Sequence, residues 1–427
     1  MIWLVPIIAI ILLGSGLALA YVIGGSAVLA FIATDNTRYL AILPQKVFSQ
    51  ISVFSLLAMP LFILAGEVMN RGGVTKALID LSMALVGRLR GGLGHVNIMT
   101  SVFFAGISGS AVADAAALSN TLVPAMKERG YTETYAGAIT AASAIIGPIV
   151  PPSIVLIFYG AIMQTSVAAL FVAGILPGLL LGGALFALNA WFAWRHDHPR
   201  VSKEEAPAVL PAIGTALPAL SLPLIVVGGI IFGWMTPTEA AAVAVFAALG
   251  AGYFYTGITL PDFTESLKRT AILTGSIFII LCAVAALSHL AALERVPQAI
   301  SGLVEQMGLG PTGFMIAMNI IFIFVGMIID IPVALALLVP LLAPVALAGG
   351  ADPVHLGIII CFNLSIGLVS PPLGGCLLVV STVTGINYWA LAREVIPFVL
   401  IEIVVLGILV FVPDISLYLP RAVGLWQ

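Results

Sequence analysis

Charge is what this sequence has least of. Only 8% of its 427 residues are Asp, Glu, Lys or Arg, against roughly 25% in soluble domains. That shortage excludes an ordinary water-facing surface. The net charge of −3 is too small to suggest nucleic acid as a partner. The three cysteines, Cys282, Cys361 and Cys376, all sit in apolar stretches, a spacing that fits neither a disulfide framework nor a zinc site. No Gly-rich loop ending in Lys-Ser or Lys-Thr occurs, so direct ATP hydrolysis is not expected. No nucleophile–base pair and no His–Glu metal spacing is found either, so no catalytic residues are expected. No basic segment with a small-residue cleavage site flanks Ile2–Leu13, which reads as a retained span and not a signal peptide.

What is abundant is apolar length. Hydrophobic residues make up 61% of the chain, and the mean hydropathy is +1.19. A membrane helix needs about 20 apolar residues, which leaves room for roughly ten spans. One or two lie between Met1 and Ile32, divided at Gly14-Ser15-Gly16 if two. Others are expected over 50–69, 134–163, 168–194, 209–232, 237–256, 270–290, 354–384 and 395–412. Two more apolar stretches, 95–124 and 312–348, are interrupted midway by Gly, Ser, Asp or Pro.

Lys and Arg accumulate on the cytoplasmic side of membrane proteins. Arg71, Lys76, Arg88 and Arg90 precede the stretch 95–124, and Lys127 and Arg129 follow it. Both flanks are then cytoplasmic, and the stretch enters and returns as a re-entrant hairpin. Counting spans onward places Arg195, Arg200 and Lys203, then Lys268 and Arg269, on the same side. The stretch 312–348 sits in a region without Lys or Arg from Val296 to Ala392, which fits a hairpin opening to the periplasm. Arg393 returns to the cytoplasm and the C-terminus ends outside; Arg38, Lys46, Arg295 and Arg421 depart from the rule or lie at an interface.

The two hairpins thus open to opposite sides, and each is followed by an apolar stretch broken at a double proline. Gly147 and Gly367 are 220 positions apart, as are Pro151 and Pro371, and Ser143 maps onto Asn363. Within the hairpins, Asp114 and Asp330 are 216 apart, as are Pro124 and Pro340. Repeats of opposite topology whose broken helices meet at the midplane are a recurrent transporter design. Pro removes a backbone donor and Gly permits unusual dihedrals, so carbonyls near Gly147 and Gly367 lose helical partners. In the membrane this is tolerable only where protein, water or an ion satisfies them. The bland alternative is a pair of proline kinks, which matching offsets behind matching hairpins disfavour.

The tips supply the candidate ligands. The first carries Ser108 and Ser110 among small residues, with Asp114 after them; the second carries Gly326 and Asp330. An aspartate at the bilayer centre costs about 2.5–3.5 kcal/mol, so it is functional unless it merely caps a helix. Oxygens suited to sodium come from Ser108, Ser110, Ser143, Asn363 and the backbone around Gly147 and Gly367. Half-helix N-termini after the prolines suit a carboxylate, with Ser153 beside one of them. Thr236, Pro237 and Glu239 form a capping box that opens a helix, and Thr236 can still face the site. His95 reads as interfacial, His196 and His198 as loop residues, and Glu67 and Glu402 have no assigned role.

Segments 58–66, Gly94-His95-Val96-Asn97-Ile98, the Ser-Gly-Ser-Ala-Val-Ala-Asp tip at 108–114, Ala141-Ala142-Ser143 with Pro151-Pro152-Ser153, Thr236–Ala241 and Asp352–Gly357 together resemble the large membrane subunit of tripartite ATP-independent periplasmic (TRAP) transporters. The resemblance spans essentially the whole chain. It departs at Ala144, at Ser370 and at Ser119-Asn120, where relatives commonly carry serine, threonine and glycine.

The resemblance implies an all-α integral membrane protein of about ten to twelve transmembrane helices, with an inverted repeat, two re-entrant hairpins and two broken helices. It implies scaffold helices and an amphipathic arm over 1–92, a transport-domain repeat over 93–166, scaffold and a second arm over 167–310, a second repeat over 311–386 and a C-terminal helix over 387–427. It implies sodium-coupled, elevator-type uptake of a C4-dicarboxylate, sialic acid or other sugar acid across a bacterial inner membrane, with no organic cofactor. The implied partners are a separate small four-helix membrane subunit and a periplasmic substrate-binding protein. Ser110, Ser153, Thr236 and Asp330 become the substrate candidates; Ser108, Ser143, Gly147, Gly326, Asn363 and Gly367 become the sodium candidates. One charge crossing 100 mV yields about 2.3 kcal/mol and a tenfold gradient roughly 1.4 kcal/mol, so a dianion needs two or more sodium ions to avoid moving against the potential. A proton-coupled carrier with Asp330 as proton site, a membrane-embedded enzyme and a channel are the rival readings.

Overall fold

The computed structural model describes residues 11–12, 14–202 and 205–426. Apart from Ile11 and Leu12, the stretch Ile2–Leu13 lies outside the described residues, as does Lys203. Among the described residues the chain is helical and has no strand. In chain order the α-helices are α1 (Leu19–Ala33), α2 (Leu43–Ile51), α3 (Ala58–Arg71), α4 (Val74–Val86), α5 (Gly92–Ser108), α6 (Ala111–Glu128), α7 (Glu133–Ala144), α8 (Ile154–Met163), α9 (Val167–Arg195) and α10 (Val209–Ile231). There follow α11 (Pro237–Thr256), α12 (Leu260–Leu293), α13 (Val296–Gln306), α14 (Pro311–Gly326), α15 (Ile331–Ala348), α16 (Pro353–Gly367), α17 (Gly375–Thr384), α18 (Tyr388–Glu394), α19 (Ile396–Phe411) and α20 (Asp414–Ala422).

Six of these spans are single helices long and apolar enough to cross a membrane: α3 with the 3₁₀ turn before it, α9, α10, α11, α12 and α15. Much of the remaining apolar chain is organised as the repeat predicts. The stretch 95–124 is a helical hairpin of α5 and α6, turning at Gly109 and Ser110. Gly109 ends α5 with φ +60°, a left-handed conformation that glycine adopts without a Cβ penalty. The stretch 312–348 is the second hairpin, α14 and α15. The stretch 134–163 breaks into α7 and α8, and 354–384 into α16 and α17; both Pro-Pro bonds in the breaks are cis.

Side-chain caps set many of the boundaries. Thr132, Ser153 and Ser166 accept hydrogen bonds from the first turns of α7, α8 and α9. Asp352 accepts from the Val354 and His355 amides at 2.8 and 3.1 Å and starts α16. Each cap satisfies amides that a helix start otherwise leaves bare. The span expected over 270–290 is longer, because a Thr259–Asp262 capping box with Pro261 launches α12 ten residues sooner. Helices α4 and α20 have no counterpart in the expected spans. Lys76 and Asp80 interrupt the apolarity of α4, yet Val74, Ala77, Leu78 and Leu81 bury one helical face. α20 is short and carries Asp414, Ser416 and Arg421 among its nine residues, but it docks on α9 and α16, where the Ser416 hydroxyl lies 3.2 Å from His355 Nδ1.

Packing places the hairpins beside the breaks. α6 lies against α7 and α17, and α14 lies against α16. α3 packs against both α11 and α12, with α1 and α2 also on α12. α3 is the neighbour that meets the first tip: a Cβ on Gly66 would be 3.4 Å from Ser108 Cα.

Candidate functional site

A cavity of about 490 Å³ lies between the two hairpin tips, α3 and α12. The first tip lines it with Ser108, Ser110 and their neighbours, and the second with Asp330, Ile331 and Pro332. Pro148 and Ile154 reach it from the first break. Three helix N-termini therefore converge here, those of α6, α8 and α15. Their free amides and dipole ends make the space attractive to an anion. The lining carries two carboxylates, Glu67 and Asp330, and no Lys, Arg or His. An anion is thus drawn by backbone dipoles but repelled by side-chain charge, unless cations accompany it.

Ser110 and Asp330 stand in corresponding places. Each is the N-cap of the second arm of its hairpin, and they are 220 positions apart, the same offset as the helix breaks. The 216 offset, which paired Asp114 with Asp330, is therefore not the register of the tips. Asp114 lies one turn inside α6. Asp330 makes no side-chain capping bond and lines the cavity.

Asp114 is instead buried at the first break. It accepts a hydrogen bond from the Ser108 hydroxyl, and its other oxygen has no partner. That oxygen lies 2.8 Å from where a Cβ on Gly147 would stand, so only glycine fits against the carboxylate. Ser108 also accepts from the Ser110 amide at 3.1 Å.

The second break has a matching orphan. The Asn363 amide group donates to the Asn319 carbonyl and side-chain oxygens at 2.8 and 2.7 Å, while its own Oδ1 is buried without a partner. One turn on, Gly367 touches Gly326 of the second hairpin. Leaving a buried oxygen bare costs about 1–3 kcal/mol, so an oxygen-seeking cation is a suitable partner at either place. Among the described residues no group of three or more His, Cys, Asp or Glu is arranged to hold a metal. Ion ligands here must come mainly from hydroxyls, amides and carbonyls.

Three of the expected site residues have hydroxyls engaged by protein partners and do not line the cavity. Ser143 is buried in a closed network between α5 and α7: it accepts from Ser101 at 2.8 Å and donates to Asn97 at 3.1 Å. Its hydroxyl is already satisfied. Ser153 is fully buried as the cap of α8, donating to the Pro148 carbonyl and accepting from Leu156 at 3.2 Å. Thr236 is exposed and forms its capping box with Glu239 at 2.8 Å. Neither Ser153 nor Thr236 lines the cavity.

Glu67 and Asn70 were not anticipated. With Ile63 and Gly66 they form one face of α3 that lines the cavity, and the Asn70 side-chain oxygen is buried without a partner. The signal was their i, i+3, i+4, i+7 spacing on an otherwise apolar helix.

Comparison with known proteins gives the family. Residues 4–415 match the family described as tripartite ATP-independent periplasmic transporter, DctM component. The sialic acid TRAP transporter large permease protein SiaM of Vibrio cholerae is 38% identical over 92% of this chain and 92% of its own length. The C4-dicarboxylate TRAP transporter large permease protein DctM of Pseudomonas aeruginosa is 36% identical over 94% of each chain. The crystal structure of the YdaH transporter of Alcanivorax borkumensis superposes with a TM-score of 0.64 at 15% identity, covering 88% of each chain, and so shares the fold. The chain is a multi-pass membrane protein that belongs to the large permease (DctM) component of the TRAP transporters.

Proposed function

We propose that this chain carries a small organic anion, a C4-dicarboxylate or a sugar acid such as sialic acid, inward by coupling it to sodium. The observation that carries the reading is the cavity itself. Three helix N-termini favour a carboxylate there, while Glu67 and Asp330 oppose it and no basic side chain lines the space. Uptake of an anion into such a site requires cations to enter with it, which is the physical content of symport. The orphaned oxygens of Asp114 and Asn363 at the two breaks supply places for them. Ser108 and Gly147 complete the first ion site; Gly326 and Gly367 complete the second. Ser110, which lines the cavity, remains the hydroxyl within reach of the substrate.

In this reading the hairpins and broken helices, 93–166 and 311–386, move as a transport unit against α3, α9 to α12 and the amphipathic arms. The substrate is delivered by a periplasmic binding protein, and a separate small four-helix membrane subunit braces the scaffold. The protein sits in a bacterial inner membrane with its C-terminus on the periplasmic side. The rival is a proton-coupled carrier, favoured by one observation: the uncapped Asp330 carboxylate in the cavity. Proteoliposomes holding the complete transporter, with succinate and sialic acid outside, separate the two. Uptake that requires a sodium gradient supports the proposal, and uptake driven by a proton gradient alone replaces it with the rival.

A further inference from the structure

The cavity ends at an ion pair that the site does not otherwise use. On α3, Ile63, Gly66, Glu67 and Asn70 face the cavity. On α12 the lining residues are Leu273, Ser276, Ile277 and Ile280. Arg269 lies four, seven, eight and eleven positions before these residues, so it shares their helical face, one turn beyond the last of them. Its guanidinium Nη1 is 3.6 Å from Glu67 Oε2. The two partners are unequal: the Glu67 side chain is 14% exposed and the Arg269 side chain 61%. Glu67 belongs to the cavity wall, and Arg269 stands outside it. Arg71 and Lys268 lie at the same ends of α3 and α12, which the charge rule makes cytoplasmic.

We propose that Glu67 and Arg269 form an anion-displaceable latch at the cytoplasmic mouth of the cavity. A substrate carboxylate leaving the hairpin tips takes the place of Glu67 on Arg269 and departs from there into water. The inference rests on reading the cavity as the substrate site. Three features fit it. Arg269 is a cation paired with an acid of a lining that itself has none. A pair 3.6 Å apart whose guanidinium is largely exposed is weak enough to be exchanged. A guanidinium accepts one carboxylate in place of another without loss of geometry.

The test uses the full chain in proteoliposomes with its transporter partners. Counterflow measures the apparent KM of succinate and sialic acid at the cytoplasmic face. Arg269→Gln is expected to raise that KM about five- to tenfold while leaving the sodium dependence unchanged. Glu67→Gln frees Arg269 and is expected to lower KM and slow turnover, because the anion is held longer. An unchanged KM in Arg269→Gln overturns the latch. If Arg269→Gln does not fold, Glu67→Gln decides alone: a wild-type KM and turnover overturn the proposal. Failure of the wild type to carry either anion under any gradient removes the substrate reading itself.

Discussion

The backbone of Gly326, at the end of the second hairpin's first arm, lies directly against Gly367 at the second break. A Cβ built on Gly367 would fall 2.3 Å from the Gly326 carbonyl carbon and 2.6 Å from its oxygen. Backbone cannot swing aside as a side chain can. Gly367→Ala is therefore expected to destabilise the protein by roughly 1–3 kcal/mol, read as a lower melting temperature in detergent. Gly326→Ala should be milder, because its nearest neighbour is the Leu364 side chain at 3.2 Å. Gly228 on α10 has nothing within 4 Å, so Gly228→Ala serves as the control. Equal melting of all three variants would remove the close-contact account of this glycine pair.

Asp114 is expected to act through its charge. Asp114→Asn keeps the shape of the side chain and an oxygen for the Ser108 hydroxyl, and removes the negative charge beside Gly147. If a sodium ion shares that oxygen, the sodium concentration for half-maximal uptake should rise about tenfold or more. Sodium dependence that stays at the wild-type value would exclude Asp114 as a ligand and leave it a structural residue.

The repeat was legible because its signals are local and paired. Gly147 with Pro151-Pro152, and Gly367 with Pro371-Pro372, mark breaks by chemistry that any membrane helix must answer. The tips were legible for the same reason: Ser108, Gly109 and Ser110 are small where a chain must turn. The engagement of Ser143 and Ser153 is not legible in the sequence. Their partners, Ser101 and Asn97 for one and the Pro148 carbonyl for the other, are set by packing and not by spacing. The approach of Asp114 to Gly147 is not legible either, because a position near a helix start says nothing about the glycine across from it. Glu67 has no role in the sequence reading because an isolated acid near a span end resembles an interfacial residue until the facing helix is known.

Thr236 provides a test of the corrected site. Its hydroxyl and amide are engaged with Glu239, and it is exposed away from the cavity lining. Thr236→Ala should cost about 1 kcal/mol of stability through the lost cap and leave the substrate KM unchanged. A raised KM with unchanged melting would return Thr236 to the substrate site.

The loop after α9 is expected to be sensitive to acid. His198 packs against the rings of Tyr131 and Tyr135, each with centroids 4.7 Å away. Burial first, and then the neighbouring His196, hold its imidazole below the ordinary value. A base with a depressed folded pKa takes up its proton more readily when unfolded. Stability therefore falls as pH drops below the ordinary value of about 6.5 toward the folded one. Melting temperature measured from about pH 7.5 to 5.5 should decline, and His198→Gln should flatten part of that decline. An identical slope in the variant would assign the acid sensitivity to other groups.

Asp330 distinguishes a ligand from a coupling group. It lines the cavity without a side-chain capping bond, at the start of α15. As a charged group it repels a substrate carboxylate in the same space. As a group neutralised by an accompanying cation it ties substrate entry to that cation. Asp330→Asn retains the size and hydrogen-bonding capacity of the side chain and removes the charge. Exchange of labelled substrate across the membrane, which needs no driving force, is then expected to persist. Accumulation against a gradient, which needs coupling, is expected to fall by about tenfold or more. Loss of exchange as well as accumulation would make Asp330 a direct substrate ligand. The coupling would then rest on the orphaned oxygens of Asp114 and Asn363 alone, because no other acidic side chain at the hairpin tips or the breaks is left to carry it.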